Sequence, residues 1–262
     1  MNLLRLPDRE IAWTQEGRTG APPVLLAHGL LSDHRMWDRV VELVSREFSV
    51  LRYDLRGHGR SSAPPAPYTL AQLADDVPVL LDALGVDRVH FVGTSLGGMI
   101  GQQLGARHAQ RLLSLTLANT GAAQAARQAW EERIAVVRRS GVSALADATI
   151  DRWFPSVFQR AMPGETARMR SLLLDTSNEG YIGCASAVRD LAQLDLLPLI
   201  QVPTLVIAGT LDEAIPHAAT AKLAELVRGA KLVSLPTGHQ AAVEHPEAFA
   251  EAWLAFVRSI RA

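Results

Sequence analysis

Short apolar runs alternate with amphipathic stretches along most of the chain. Runs bounded by glycine, proline or charged residues predict buried strands, and apolar positions spaced three or four apart predict helices. The predicted strands are Ile11–Thr14 (at an edge), Val24–Ala27, Phe48–Tyr53, Val89–Val92, Leu112–Leu117, Thr204–Ala208 and Lys231–Leu235. The predicted helices are Met36–Val44, Thr69 to about Leu84, Leu96–Ala109, Ala218–Val227 and Glu247–Ile260. This alternation predicts an α/β fold with a mostly parallel sheet covered on both faces.

The alternation of strands and helices stops at Asn119 and resumes near residue 198. Between these points the periodicity is helical throughout, and several aromatic residues occur there. A helical insertion between two parts of a sheet is typical of a lid over a site at the sheet edge. We therefore predict a core domain of residues 1–120 and 198–262, and a helical lid of residues 121–197.

Composition narrows the possible partners. The 262 residues carry a formal net charge of −1 without a basic block, which argues against nucleic acid or an anionic membrane as a partner. Cys184 is the single cysteine, so no intramolecular disulfide and no zinc cluster are expected, and no other metal or cofactor is predicted. No apolar run suits a signal peptide or a membrane span, so we predict a cytoplasmic protein. The sequence gives no indication of the oligomeric state.

One motif lies where a predicted strand passes into a predicted helix. Val89–Val92 is followed by Gly93-Thr94-Ser95-Leu96-Gly97, and a Gly-x-Ser-x-Gly sequence in this position is the form of a nucleophile elbow. Gly93 and Gly97 are needed there because a Cβ at either position would collide with neighbouring backbone. The alternative is a glycine-rich turn without chemistry, and the rest of the chain must decide between the two.

A serine nucleophile needs a base to take its proton and an acid to orient that base. Asp212 and His239 each follow one of the last two predicted strands, so both are expected at the same sheet edge as Ser95. The chain order Ser, Asp, His is also the order found with a nucleophile elbow. Glu213 is the near rival for the acid, whereas the remaining nearby histidines, His217 and His245, lie at helix starts that would not face the serine.

The oxyanion of an acyl-transfer intermediate needs backbone N–H donors. Leu30 lies in the loop after Val24–Ala27, and its N–H is expected beside that of Leu96, the residue after Ser95. Four such loops in this order favour a catalytic site over four unrelated turns.

The general motifs of the chain are His28-Gly29, Asp54–Ser61, Gly93–Gly98 and Gly238-His239. On these the chain resembles the α/β-hydrolase superfamily over essentially its whole length. A further set comprises Arg152-Trp153-Phe154, Gly180–Ala185, Val188–Asp190 and Pro203–Thr210. On this set it is similar to the 3-oxoadipate enol-lactonases. It departs from that family at two places. The family often has Met at the position of Leu96, and it favours Thr-Pro-Pro where this chain has Ile215-Pro216-His217.

The resemblance implies a doubly wound sheet with the lid inserted after its sixth strand. It also implies a cofactor-free serine hydrolase that opens 3-oxoadipate enol-lactone through an acyl-enzyme, giving 3-oxoadipate in the β-ketoadipate pathway of aromatic catabolism. The family's nucleophile, acid and base fall on Ser95, Asp212 and His239, and its small-molecule lactone or ester would be the partner.

The implied substrate carries a carboxylate, which is costly to bury unless a donor pairs with it. The lid offers five candidate arginines: Arg133, Arg152, Arg168, Arg170 and Arg189. We favour Arg133 as the substrate-binding residue over Arg189, which can pair with its neighbour Asp190. The resemblance also assigns Trp153 to the substrate, whereas the other lid aromatics are expected to pack in the core.

Three alternatives remain at this point. A broad carboxylesterase would share the triad and have a roomier lid. A carbon–carbon bond hydrolase of aromatic degradation would share it and act on a dienol-ketone. A ligand receptor of this fold would bind without turnover, which an intact triad argues against.

Overall fold

The computed structural model describes residues 1–124 and 126–261 of the chain. The strands within these residues are β1 (Asn2–Arg5), β2 (Glu10–Gly17), β3 (Pro23–Ala27), β4 (Ser49–Tyr53), β5 (Val89–Thr94), β6 (Leu112–Ala118), β7 (Thr204–Gly209) and β8 (Lys231–Leu235). They form one sheet in the order β1-β2-β4-β3-β5-β6-β7-β8. β2 is antiparallel to both of its neighbours, and every other pair is parallel.

The α-helices of the described residues cover this sheet and build the insertion. They are α1 (Asp38–Val44), α2 (Leu70–Ala83), α3 (Leu96–Arg107), α4 (Arg127–Ser140), α5 (Ala146–Trp153), α6 (Ser156–Ala161), α7 (Pro163–Leu174), α8 (Asn178–Arg189), α9 (His217–Leu226), α10 (Ala241–Glu244) and α11 (Pro246–Arg261). Helices α4 to α8 lie between β6 and β7, after the sixth strand. None of the helices in the described ranges combines the length and apolarity needed to cross a membrane.

Apolar side chains cover the sheet on both faces, because successive residues of a strand point to opposite sides. In β3, Val24 and Leu26 belong to one cluster, which includes α1 and α11. Leu25 and Ala27 belong to the other, with α2 and α3. All four side chains are buried. This two-sided burial explains why the strand is a continuous apolar run without polar alternation.

Most predicted elements are present within a few residues of their expected bounds. The capping box at Thr69 and Gln72 is confirmed, since the Thr69 side chain accepts from Gln72 N–H and the Gln72 side chain accepts from Thr69 N–H. One prediction was wrong: the strand containing Ile11–Thr14 is not at the sheet edge. β1 pairs with the outer side of that strand, β2, with Asn2 opposite Trp13 and Arg5 opposite Glu10.

Helix α8 of the insertion contacts the core through its backbone. A Cβ on Gly57 would lie 2.0 Å from the Cα of Gly180, and one on Gly180 would lie 2.3 Å from the Cα of Gly57. Ser177, the N-cap of α8, donates to the carbonyl of Gly57 from both its N–H (3.1 Å) and its hydroxyl (3.0 Å). The loop after β4 therefore carries α8 at van der Waals distance. The division of the chain into core and lid domains stays a prediction.

Candidate active site

Ser95 lies at a strained turn between β5 and α3. Its φ of +52° is a conformation that residues with a side chain rarely adopt. The two glycines that flank it permit the turn: a Cβ on Gly93 would lie 2.2 Å from the carbonyl oxygen of Gly97, and one on Gly97 would lie 2.3 Å from that of Ala27. The predicted steric need for these glycines is confirmed. The turn projects the Ser95 side chain from the sheet edge at the N-terminus of α3.

The structure brings Ser95, His239 and Asp212 into one hydrogen-bonded chain. His239 Nε2 lies 3.0 Å from Ser95 Oγ, and His239 Nδ1 lies 2.9 Å from Asp212 Oδ2. These distances allow the imidazole to accept the serine proton while the carboxylate holds its Nδ1–H. Glu213, the rival acid, is exposed and outside this chain of hydrogen bonds.

Both oxygens of Asp212 are occupied. Oδ1 accepts from the N–H groups of Ala214 (2.9 Å) and Ile215 (2.8 Å), and Oδ2 accepts from Asn119 Nδ2 (3.1 Å) in addition to His239. Burial by itself raises the pKa of Asp212, but His239 and these hydrogen bonds outweigh it, so its pKa lies below the usual value. Asp212 is therefore a fixed anion at neutral pH.

In the loop after β3, hydrogen bonds fix the backbone groups on either side of the Leu30 N–H. His28 Nε2 accepts from the N–H of Leu55 (2.9 Å), so its Nδ1–H donates to the carbonyl of Gly29 (2.7 Å). The N–H of Leu31 donates to His58 Nε2 (3.2 Å). Burial lowers the pKa of both histidines, that of His58 to about 3, so both stay neutral. The Leu30 N–H lies between these two anchored groups.

The N–H groups of Leu30 and Leu96 form no hydrogen bond to any acceptor among the described residues. Both residues line the same cavity as Ser95. The Leu96 N–H also belongs to the first turn of α3, where the helix dipole favours a negative oxygen. Two free donors beside the serine suit the oxygen of a tetrahedral intermediate.

The cavity above Ser95 has a volume of about 180 Å³. Pockets for drug-sized ligands span roughly 300–1,000 Å³, so this one suits a smaller molecule. Its floor is formed by the serine loop and the Leu30 loop, and its roof by α4, α5 and α8. The lining residues from the roof are Trp130, Arg133, Thr149, Arg152, Trp153, Tyr181 and Val188.

Two lid arginines line this cavity and have no acidic partner among the described residues: Arg133 and Arg152. The Arg133 guanidinium lies over the ring of Trp130, 4.8 Å from its centroid. Arg152 Nε donates to the carbonyl of Ala148 (3.2 Å). Burial lowers the pKa of Arg152, and the positive charge of Arg133 lowers it further. The two positive charges at the roof of the cavity are therefore close enough to repel each other.

The other three candidate arginines form ion pairs. Arg168 bonds to Glu165, Arg170 to Asp147, and Arg189 to Asp190. Arg189 pairs with Asp190 as expected, and the role of Arg133 in substrate binding stays a prediction. Arg152 was among the five candidates from the sequence but was not the favoured one; the structure places it in the cavity beside Arg133.

Trp153 lines the cavity, and its backbone has a second contact. Its carbonyl accepts the N–H of His239 at 2.8 Å, so the C-terminus of α5 supports the histidine loop. Tyr181 lies in the field of both cavity arginines, and burial raises its pKa to about 12. Tyr181 was expected only to pack in the core, although it lies in the Gly180–Ala185 motif, and it also lines the cavity. Asn119 was not singled out from the sequence, because it belongs to no recognisable motif.

One group of possible metal ligands occurs in the described ranges: Asp33, His34 and Asp54. Its carboxylates are already engaged. Asp54 Oδ1 accepts from the N–H and Nδ1 of His34 at 3.0 and 2.8 Å, and Asp33 binds the Arg35 side chain. These contacts explain the group as a network that fixes the loops after β3 and β4. The expectation of no metal stays a prediction.

The family model described as the alpha/beta hydrolase fold matches residues 22–246. The chain belongs to this family. Similarity to proteins named enol-lactonases shows that it is a hydrolytic enzyme, contrary to the receptor alternative. The resemblance inferred from the sequence motifs and the predicted fold class are both confirmed.

Several relatives resemble this hydrolase over nearly its whole length. It is 33% identical to 3-oxoadipate enol-lactonase 2 of Acinetobacter baylyi, across 94% of this chain and 92% of that protein. It is 36% identical to the enol-lactonase from Burkholderia xenovorans LB400, with a TM-score of 0.96 and coverage of 98% of this chain and 100% of that one. It is 30% identical to a thermophilic esterase from Thermogutta terrifontis, with a TM-score of 0.91 and coverage of 97% and 95%.

Proposed function

We propose that this hydrolase opens the ring of 3-oxoadipate enol-lactone to give 3-oxoadipate, as a step of the β-ketoadipate pathway. The observation that carries this proposal is the pair of arginines without acidic partners, Arg133 and Arg152, in the roof of a small cavity whose floor holds Ser95. A small ester with a free carboxylate matches both ends of that cavity. The enol-lactonases among the relatives support the same substrate.

In the first half of the reaction, Ser95 Oγ attacks the lactone carbonyl carbon while His239 Nε2 accepts its proton. Asp212 holds the imidazole in the tautomer that can do so and stabilises the imidazolium that forms. The carbonyl oxygen becomes an oxyanion between the N–H groups of Leu30 and Leu96. Collapse of this intermediate breaks the ring C–O bond, and the oxygen that leaves is an enol, which takes the proton from His239.

In the second half, the enol becomes a ketone and the chain remains bound to Ser95 as an ester. His239 then takes a proton from water, whose oxygen attacks the acyl carbon. The second tetrahedral intermediate uses the same two N–H donors and expels Ser95 Oγ, which recovers its proton from His239. The products balance as lactone plus water giving the open keto-diacid, without a cofactor. Arg133 and Arg152 hold the substrate's own carboxylate throughout, with the Trp130 and Trp153 side chains beside it.

The experiment compares kcat/KM for the enol-lactone, generated in situ, with that for a neutral aryl ester of similar size. The proposal expects the lactone acid to be preferred by at least the roughly ten- to hundredfold that one carboxylate–arginine pair provides. The similarity to an esterase favours broad carboxylesterase activity as the second candidate. Equal kcat/KM values for the two substrates would establish the broad esterase instead.

A further inference from the structure

The loop that carries His239 is held by three consecutive backbone N–H groups. The N–H of His239 donates to the Trp153 carbonyl, while its two neighbours donate to a single side chain. Gly238 N–H donates to Glu244 Oε2 at 2.8 Å, and Gln240 N–H donates to Glu244 Oε1 at 3.1 Å. The carboxylate of Glu244 thus bonds to the peptide groups on both sides of the histidine.

We propose that Glu244 is a positioning residue for His239, whose carboxylate fixes the histidine loop so that Nε2 faces Ser95. This inference rests on the proposed role of Ser95 and His239. Glu244 does not touch the reacting atoms. Its effect passes through the backbone of Gly238 and Gln240, which sets the direction of the imidazole.

The chemistry of the site explains why a carboxylate is found there. Glu244 is 9% exposed and has no cationic partner among the described residues, so its burial is costly unless both oxygens accept hydrogen bonds. A carboxylate supplies two acceptor oxygens on one group, one for each N–H donor beside His239. A glutamine offers only one oxygen, and its NH₂ would then face a second donor.

Burial raises the pKa of Glu244 to about 7, although the two N–H donors lower it. In the neighbouring loops, the charge of Asp212 raises the pKa of Glu244, and His239 lowers it. The charged or titratable groups around the cleft on the far side of Glu244 are Arg39, Glu165, His245 and Glu247. A protonated Glu244 resembles glutamine, because one oxygen becomes a donor. Activity is therefore expected to fall to the level of E244Q as Glu244 takes up a proton.

The test measures kcat, KM and their pH dependence on a neutral aryl ester for the wild type, E244Q, E244D and the matched control E247Q. Glu247 is exposed and three residues away, so E247Q should behave as the wild type. E244Q should lower kcat by about 10- to 100-fold with KM nearly unchanged, the scale expected for a misplaced catalytic group. E244D keeps two acceptor oxygens and should recover part of that loss.

The pH profile separates positioning from general destabilisation. Protonation of Glu244 should lower activity only to the level of E244Q, so the ratio of wild-type to E244Q kcat/KM should fall from about 10- to 100-fold above neutral pH towards one as the pH decreases below 7. Unchanged kcat in a folded E244Q would overturn the inference. If E244Q does not fold, a wild-type log(kcat/KM) that nowhere falls more steeply than a slope of one between pH 8 and 5 would overturn it. S95A serves as the reference: retained activity there removes the proposed function, whereas an inactive S95A with a normal E244Q removes the role of Glu244 alone.

Discussion

Charged groups are bonded in opposite ways at the two sides of the active site, namely the sheet edge formed by the carboxyl ends of the parallel strands and the lid. At the sheet edge, Asp212 accepts four hydrogen bonds, and the neutral histidines His28 and His58 use both ring nitrogens. At the roof of the cavity, Arg133 and Arg152 have no acidic partner in the described part of the chain. A reaction centre needs groups that are already fixed, whereas recognition of an anion needs cations that are not yet neutralised. The two regions can therefore be tested separately.

The largest effect is expected at the nucleophile. S95A removes the attacking oxygen and should lower kcat on every substrate, on the order of 10⁴- to 10⁶-fold. Thermal unfolding should change little, because the hydroxyl makes no structural bond other than that to His239 in the described residues. Steady-state kinetics on the lactone and the aryl ester measure this. More than about a tenth of wild-type kcat would remove Ser95 from the role of nucleophile.

The next effect concerns the acid. D212N preserves the size of the side chain but cannot hold His239 in the tautomer that accepts a proton, and the comparable change in a serine protease costs on the order of 10⁴-fold in kcat. E213Q, at an exposed neighbouring carboxylate, is the matched control and should stay close to wild type. Both substrates should be affected equally by D212N. A larger loss in E213Q than in D212N would show that the acid has been assigned to the wrong residue.

A smaller and selective effect is expected in the lid. R133M and R152M should each lower kcat/KM for the lactone acid by about ten- to a hundredfold, the value of a hydrogen bond to a charged group, and leave the neutral ester nearly unchanged. R170M is the control, since Arg170 pairs with Asp147 and does not line the cavity. The ratio of the two kcat/KM values is the measurement. If neither variant changes that ratio, the lid does not recognise the carboxylate through these side chains.

The smallest effect concerns the pH dependence of the free energy of unfolding, through His58 in the loop after β4. The pKa of His58 is about 3 in the folded protein, below its unfolded value of about 6.5, so the unfolded chain binds the extra proton first. The contribution of neutral, buried His58 to the free energy of unfolding is complete above about pH 6.5. It is lost as the pH falls from there towards 3. H58N should reduce the loss of unfolding free energy between pH 7.5 and 5 by about 1–2 kcal/mol. Urea unfolding at the two pH values, with H217N as control, measures the difference.

Chain order and strand ends were sufficient to predict Ser95, Asp212 and His239 as neighbours, because parallel strands deliver their following loops to one edge. β1 was missed since its residues are mostly exposed and lack a buried stripe. Arg152 was a candidate that could not be ranked above the others, because the direction of a helical side chain depends on how its helix packs, which periodicity does not give. Glu244 acts on backbone N–H groups, and such contacts leave no pattern in the sequence.

The contact between Gly57 and Gly180 restricts how core and insertion can be recombined. Each backbone occupies the space that a methyl group on the other would need. An insertion transplanted from a different hydrolase would seat on this core only if it also brought a residue without a side chain at the start of α8. Core and insertion can therefore be combined only where both of these positions lack a side chain. An exchange that adds one would displace α8, which carries Tyr181 in the roof of the cavity.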